Sequence, residues 1–301
     1  MKDFCRSIKS PAPSCGPGPH SWRDLWRQMK LARIAAPGFE GTGAYWNNRK
    51  NVSDLYMKTR TRQAWQGKVD AQFRAMKIPD GARVLDIGGG TGTHAIPLAA
   101  RGCDVTVVEP AAAMREELEK NISASTEEVR VIPSRWEDVT REELGEPFDI
   151  VMASYSLSML DIGDAIGKMV ASSRGTVHLF WFLTPTSWAR VSRDLWPRLY
   201  GREYPGEPLA DCLWQVLFEM GIPAHLTTER KNETVYASAD EAVREYCRRL
   251  NCTGEREEAV LQDYFREVLR PSGKGFALPG ASYSAHIWWQ SNSSPGTDRS
   301  W

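Results

Sequence analysis

The 301-residue chain is predicted to fold as a doubly wound α/β domain with a mainly parallel sheet, N-terminal helices ahead of it and a helical insert after the fifth strand. Three observations carry that reading. Short β-branched runs alternate with helical segments over residues 83–183, a glycine-rich loop follows the first run, and an acidic residue closes the second. Strand and helix alternating at this interval need crossover connections, which are right-handed and leave the strands parallel.

The elements follow in order. Residues 10–20, SPAPSCGPGPH, hold four prolines and two glycines, which continue neither a helix nor a ladder, so 1–20 is expected to be a flexible tail. Residues 21–78 are expected to form a helical cap. Trp22, Leu25, Trp26, Met29 and Ile34 recur at helical spacing, and a second helix is expected from Val52 to Met76, with Val69, Phe73 and Met76 on its apolar face. After the turn signal Pro79-Asp80-Gly81, strands are expected at 83–87, 104–109, 129–132, 148–154 and 176–183, with helices at about 93–101, 111–121 and 161–171. The alternation breaks at 187–220, an insert of two helices. Strand character returns at 225–237, helices follow at 239–250 and 255–269, and a late strand at 281–290 closes a main domain of residues 79–290. Residues 291–301 are expected to be a second flexible tail.

Composition excludes several classes. The chain is 42% hydrophobic and 25% charged, the composition of a globular protein. No apolar run approaches the roughly 18 residues of a membrane span, and the first ten residues have no apolar signal core. The six cysteines show no CxxC pair and no Cys/His spacing suited to zinc, so reduced thiols, a cytoplasmic location and no metal site are expected. The 38 Lys+Arg balance 38 Asp+Glu, yet residues 1–80 hold 15 basic against 6 acidic groups and residues 81–228 hold 13 against 21. A basic leader precedes an acidic body.

The most informative segment is Val84-Leu-Asp-Ile-Gly-Gly-Gly-Thr-Gly92, a buried strand running into a glycine loop. Glycines at 88, 90 and 92 allow a sharp turn and close approach of a ligand. The dinucleotide spacing G-x-G-x-x-G fails in both registers, because Thr93 or Thr91 stands where a glycine is required. The pattern is D-x-G-x-G-x-G, with Asp86 ending the first strand and Glu109 ending the second. An acid at that second position is placed to accept from both hydroxyls of a ribose, while Asp86 suits an ammonium.

On these residues the sequence resembles the class I S-adenosylmethionine-dependent methyltransferases, well over residues 80–183 and more loosely elsewhere. The resemblance implies a Rossmann-like fold of the class I methyltransferase type, with S-adenosyl-L-methionine as cofactor. It places Gly88 and Gly90 against the amino-acid part of the cofactor, Asp86 at its ammonium, Glu109 at its ribose, and Pro110 and Ala111 on one face of its adenine. Where the family has a Gly-Asp pair near the adenine, this chain has Ser134 and Arg135. An arginine cannot accept from an amine, so Glu137 or a backbone carbonyl must, with Trp136 stacking on the ring. The end of the fourth strand faces the methyl group in this family, which makes Ser154 and Tyr155 the candidates at the reaction centre. His94 is expected either to help close the cofactor pocket or to be a polar cap.

Methyl transfer from a sulfonium needs alignment and exclusion of water more than a catalytic group. Two regions are expected to build the acceptor side. One is the aromatic stretch at and after the fifth strand, where Trp181 and Phe182 suit a pocket and Trp196 and Trp214 suit the insert's own core. The other is Ala44-Tyr-Trp-Asn-Asn-Arg-Lys50, where Tyr45 or Trp46 could lie over the sulfonium and Arg49 could pair with the cofactor carboxylate, or the loop could simply lie at the surface. His178 and His286 sit in apolar strands and are read as core residues. The expected activity is methyl transfer to a small-molecule acceptor. A nucleic-acid or protein methyltransferase docking through the basic leader, or a non-catalytic cofactor-binding subunit, are the alternatives.

Overall fold

In a computed structural model the chain is described over residues 21–37, 42–53, 63–231, 233–273 and 275–291. Both expected tails, apart from Ser291, and residues 54–62 of the expected second helix lie outside the described residues. The strands are β1 (Arg83–Ile87), β2 (Asp104–Val108), β3 (Val129–Ile132), β4 (Phe148–Ser154), β5 (Ser173–Phe182), β6 (His225–Lys231), β7 (Thr234–Tyr236), β8 (Arg270–Ser272), β9 (Gly275–Leu278) and β10 (Ser282–Gln290). The helices are α1 (Trp22–Ile34), α2 (Thr42–Asn47), α3 (Gln63–Met76), α4 (Ala95–Ala99), α5 (Ala112–Ser123), α6 (Arg141–Leu144), α7 (Ile162–Ala171), α8 (Ser187–Tyr200), α9 (Ala210–Glu219), α10 (Ala239–Arg249) and α11 (Glu255–Val268).

Seven strands form one sheet in the order β3-β2-β1-β4-β5-β10-β6. The first five pair in parallel, and β10 enters antiparallel between β5 and β6. The order reverses at β1, so a crevice opens outside the C-terminal ends of β1 and β4. Both faces of the sheet are buried. One carries Leu85, Val151, Leu179 and Ile287 beneath Trp26 of α1, Ile166 of α7 and Leu213 of α9. The other carries Val84, Val107, Met152 and Phe180 beneath Phe73 of α3 and Leu98 of α4. The N-terminal segment therefore divides between the two faces. His178 and His286 are buried on neighbouring strands, Nδ1 of one 2.9 Å from Nε2 of the other, as core residues.

The structure corrects one element. The strand expected at 225–237 is two strands in different sheets: β6 is the edge of the main sheet, while β7 pairs with β9 in a three-stranded sheet, β7-β9-β8. The β9 backbone comes so close to β7 that a Cβ at Gly275 would lie 2.3 Å from the Tyr236 carbonyl oxygen. This small sheet shares a second core with α8, α10 and α11, built on Leu195, Trp196, Tyr246, Phe265 and Leu278.

Candidate cofactor and acceptor site

The site begins with β1, buried from Val84 to Ile87, which delivers Asp86 and then turns at Gly88. Gly88 (φ +71°) has no room for a side chain, since a Cβ there would lie 2.4 Å from the Ser156 Cβ. Ser156 in turn donates its hydroxyl to the Ile87 carbonyl, which holds the segment after β4 against the glycine loop. Gly92 (φ +85°) is closed by Leu118 of α5 at 2.5 Å. At Gly90 (φ +57°) a Cβ would meet nothing closer than Met114 Sδ at 3.9 Å, so of these three glycines it borders open space.

Two carboxylates meet beneath this loop. Glu109, six per cent exposed at the end of β2, accepts from the Gly90 N–H at 3.0 Å and from the Ala111 N–H at 2.9 Å. Burial raises its pKa, while those two bonds and the nearby Arg115 work against the rise. Asp86 is one per cent exposed, and among the described residues its Oδ2 has no hydrogen-bond partner. Burial, with Glu109 as a lesser cause, pushes its pKa up to about 7. A cation beside Asp86 would reverse that shift and satisfy the orphaned oxygen. The amino-acid ammonium of S-adenosylmethionine has the required charge and donors, and Gly90 leaves room for it, so the residues present fit this cofactor.

The other expected site residues divide. Pro110 is exposed at the head of α5, and its carbonyl accepts from Arg115 at 2.6 Å. Trp46 packs beside Val52, Ala111 and Met114, with Tyr45 edge-on at 4.7 Å. Asn47, which the sequence did not single out, accepts from the Ala112 N–H at 2.8 Å and ties α2 to the first turn of α5. Arg49 does not turn inward. It forms a bidentate pair with the exposed Glu116 at 2.8 and 2.9 Å, and so is not available to a cofactor carboxylate.

Trp136 is also displaced from its expected role. It is two per cent exposed, donates its indole N–H to the Ala165 carbonyl at 3.1 Å and carries the Lys168 ammonium 4.6 Å from its ring. The ring is a core group beneath α7 and offers no face to adenine. Glu137 is exposed and paired with Arg135 at 2.8 Å. His94 is buried against Gln72 of α3 at 2.8 Å and is held neutral, its pKa lowered to about 4 by burial.

Ser154 ends β4, half-buried and in register with Phe180. Tyr155 follows at φ +56°, a conformation that costs a bulky residue of order 1–3 kcal/mol and clusters at functional positions. Its N–H donates to the Phe180 carbonyl at 3.0 Å, and its ring lies 4.9 Å from Phe182, which meets Trp188 edge-on at 6.2 Å. Lys231, at the end of β6 and paired with Glu229, puts its ammonium 5.7 Å from the Tyr155 ring. No sequence signal marked Lys231, because its contact depends on β6 lying two strands from β5. Trp181 points to the opposite face and donates to the Pro208 carbonyl at 2.9 Å, whereas Trp196 belongs to the second core.

The chain is similar to known proteins. A family described as a methyltransferase domain matches residues 84–173, from β1 to the start of β5. An uncharacterized protein of Haemophilus influenzae is 30% identical over 159 residues, so the match spans 51% of this chain and 56% of that relative. The YcgJ protein of Bacillus subtilis superposes with a TM-score of 0.51 at 16% identity, covering 75% of this chain and 98% of its own. A candidate methyltransferase of Bacillus halodurans gives 0.51 at 14% identity, with coverage of 75% and 99%. At such identities these two show a shared fold. Residues 84–173 thus match a methyltransferase domain, and the sheet order with its glycine loop gives the chain the class I methyltransferase fold.

Proposed function

We propose that this protein is an enzyme that transfers a methyl group from S-adenosylmethionine to a small-molecule acceptor in the cytoplasm. One observation carries the reading: the buried Asp86 oxygen, without a hydrogen-bond partner among the described residues, set beside an open glycine and a second buried carboxylate. In this reading Asp86 receives the cofactor's ammonium, Gly88 and Gly90 let the backbone approach its amino-acid part, and Glu109 turns its remaining lone pairs to the ribose hydroxyls. Pro110 and Trp46 border the adenine end.

When bound, the cofactor supplies a methyl group already activated on sulfur, so the acceptor's lone pair forms the new bond as the sulfur–methyl bond breaks. The chain's part is to orient and to dry the site. Ser154 and Tyr155 stand at the end of β4, where they can hold the acceptor, and Phe182 and Trp188 wall that position against water.

The small size of the acceptor is supported by the leader's charges. Arg23 pairs with Asp161 and Asp164, Arg33 with Glu207 and Arg49 with Glu116, so these cations face the acidic body and not a polyanion. The test is to incubate the full chain with methyl-labelled S-adenosylmethionine and separate fractions of metabolites, nucleic acid and protein. Label is expected in the metabolite fraction. Label in a polymer fraction alone would overturn the acceptor class.

A further inference from the structure

The C-terminal end of α10 brings two thiols together, and the methyl-transfer reading uses neither. Of the four described cysteines, Cys103 and Cys212 are buried, whereas Cys247 and Cys252 are partly exposed. Helix α10 stops at Arg249, and Asn251 takes the left-handed conformation, φ +49°, which asparagine tolerates better than most residues. The chain folds back on the helix there. The Cys252 N–H donates to the Cys247 carbonyl at 2.9 Å and the Asn251 N–H to that of Arg248 at 3.4 Å, the paired bonds of a Schellman ending. Such an ending commonly sets the side chain after the left-handed residue against one in the last helical turn, and here both are cysteines.

The backbone bond limits how far apart they can be. With an N–Cα bond at one end and a carbonyl at the other, it keeps the two Cα atoms within about 6.8 Å, the span that a disulfide needs. The two thiols also hydrogen-bond to each other. Both pack at the edge of the second core beside Tyr200, whose hydroxyl donates to the Leu250 carbonyl and ties this turn to α8.

The two sulfurs are not equivalent. Burial raises the Cys247 pKa, with Glu258 adding to the rise and the bond from Cys252 opposing it. At Cys252 burial, then Cys247 and Glu257, push it up to about 12. Cys247 is therefore the better nucleophile of a slow pair. Little in the fold stabilises either thiolate, so the reduced form gains no special advantage over a disulfide.

We propose that Cys247 and Cys252 form a dithiol modification site that closes to an intramolecular disulfide by exchange with a low-molecular-weight disulfide. The Cys247 thiolate attacks one sulfur of that reagent, forms a mixed disulfide and releases the first thiolate. Cys252 then gives up its proton and attacks the Cys247 sulfur, and the second thiolate leaves. The protein thiols lose two electrons, the reagent gains them as two thiols, and the protons pass from the protein to those thiols. None of this depends on the methyltransferase reading.

The test equilibrates the full chain with mixtures of oxidised and reduced glutathione, folded and in concentrated urea, then blocks free thiols with N-ethylmaleimide and maps the peptides by mass spectrometry. In the folded parent, Cys247 and Cys252 should be joined to each other and take up no maleimide in oxidising mixtures. Half-oxidation should need a mixture about ten-fold or more less oxidising than in urea, because the native turn holds the thiols in contact. Cys252→Ser should retain glutathione on Cys247, whereas Cys247→Ser should take it up on Cys252 about ten-fold or more slowly. Maleimide on both thiols in the most oxidising mixture, pairing of either with another cysteine, or the same midpoint folded and unfolded would overturn the proposal. Equal rates in the two variants would overturn the role given to Cys247, and the parent decides the bond itself whether or not a variant folds.

Discussion

Asp86 shows how much one residue decides at this site. Its pKa rises from an ordinary 3.8 to about 7 because the folded chain buries it beside Glu109, so folding takes up a proton between those values. Stability must then fall as pH rises through that window, because there the native state holds more protons than the unfolded one. Asp86→Asn removes the dependence. It is expected to be more stable than the parent at pH 8, by roughly 1–3 kcal/mol, with the gain shrinking towards pH 4. Urea unfolding at both values checks this, and an equal gain at both would refute the cause given for the shift. Asp86, Gly88, Gly90 and Glu109 were legible in the sequence because each stands at a strand end or in the loop beside it. Trp136 was not. Its spacing suits an adenine platform and a core position equally, and only the placement of α7 over its ring decides.

At the scale of elements, local patterns located most strands to within a residue or two, because β1, β2, β3 and β4 are short runs bounded by turns. The division of 225–237 into β6 and β7 was not legible, since both halves share β character and differ only in their partners. The hairpin β8–β9 escaped for a related reason: β8 is three exposed residues with no apolar alternation to betray it. Helix α1 was legible, and its docking turns on Trp26. That side chain is fully buried, donates to the Met159 carbonyl and lies 6.1 Å from Trp181. Trp26→Ala is expected to cost about 3–5 kcal/mol of unfolding free energy, the range for a large aromatic removed from a packed core. Denaturant unfolding measures it, and a loss under about 1 kcal/mol would mean that α1 is not anchored as described.

Over the whole molecule, the chain is polarised in sequence, and part of that polarity is paired in space. Arg23, Arg33 and Arg49 of the basic leader meet acids of the body, while Arg101 of the body meets Asp70 of the leader, so the two parts are joined by ion pairs of both senses. Such exposed pairs contribute little stability each, so the two apolar cores on the sheet faces hold the leader in place. The third core lifts α8, α10 and α11 into a separate layer whose loop, 201–209, brings Tyr204 and Glu207 to Lys30 and Arg33. These parts converge on one claim, that the crevice above Asp86 and Glu109 is an S-adenosylmethionine site. Calorimetric titration of S-adenosylhomocysteine into the parent and into Glu109→Ala tests it most directly. The parent should bind, and Glu109→Ala should bind about ten-fold or more weakly, because two ribose hydrogen bonds to a carboxylate are lost. Equal affinity in the two chains, or no binding by the parent, would contradict the account.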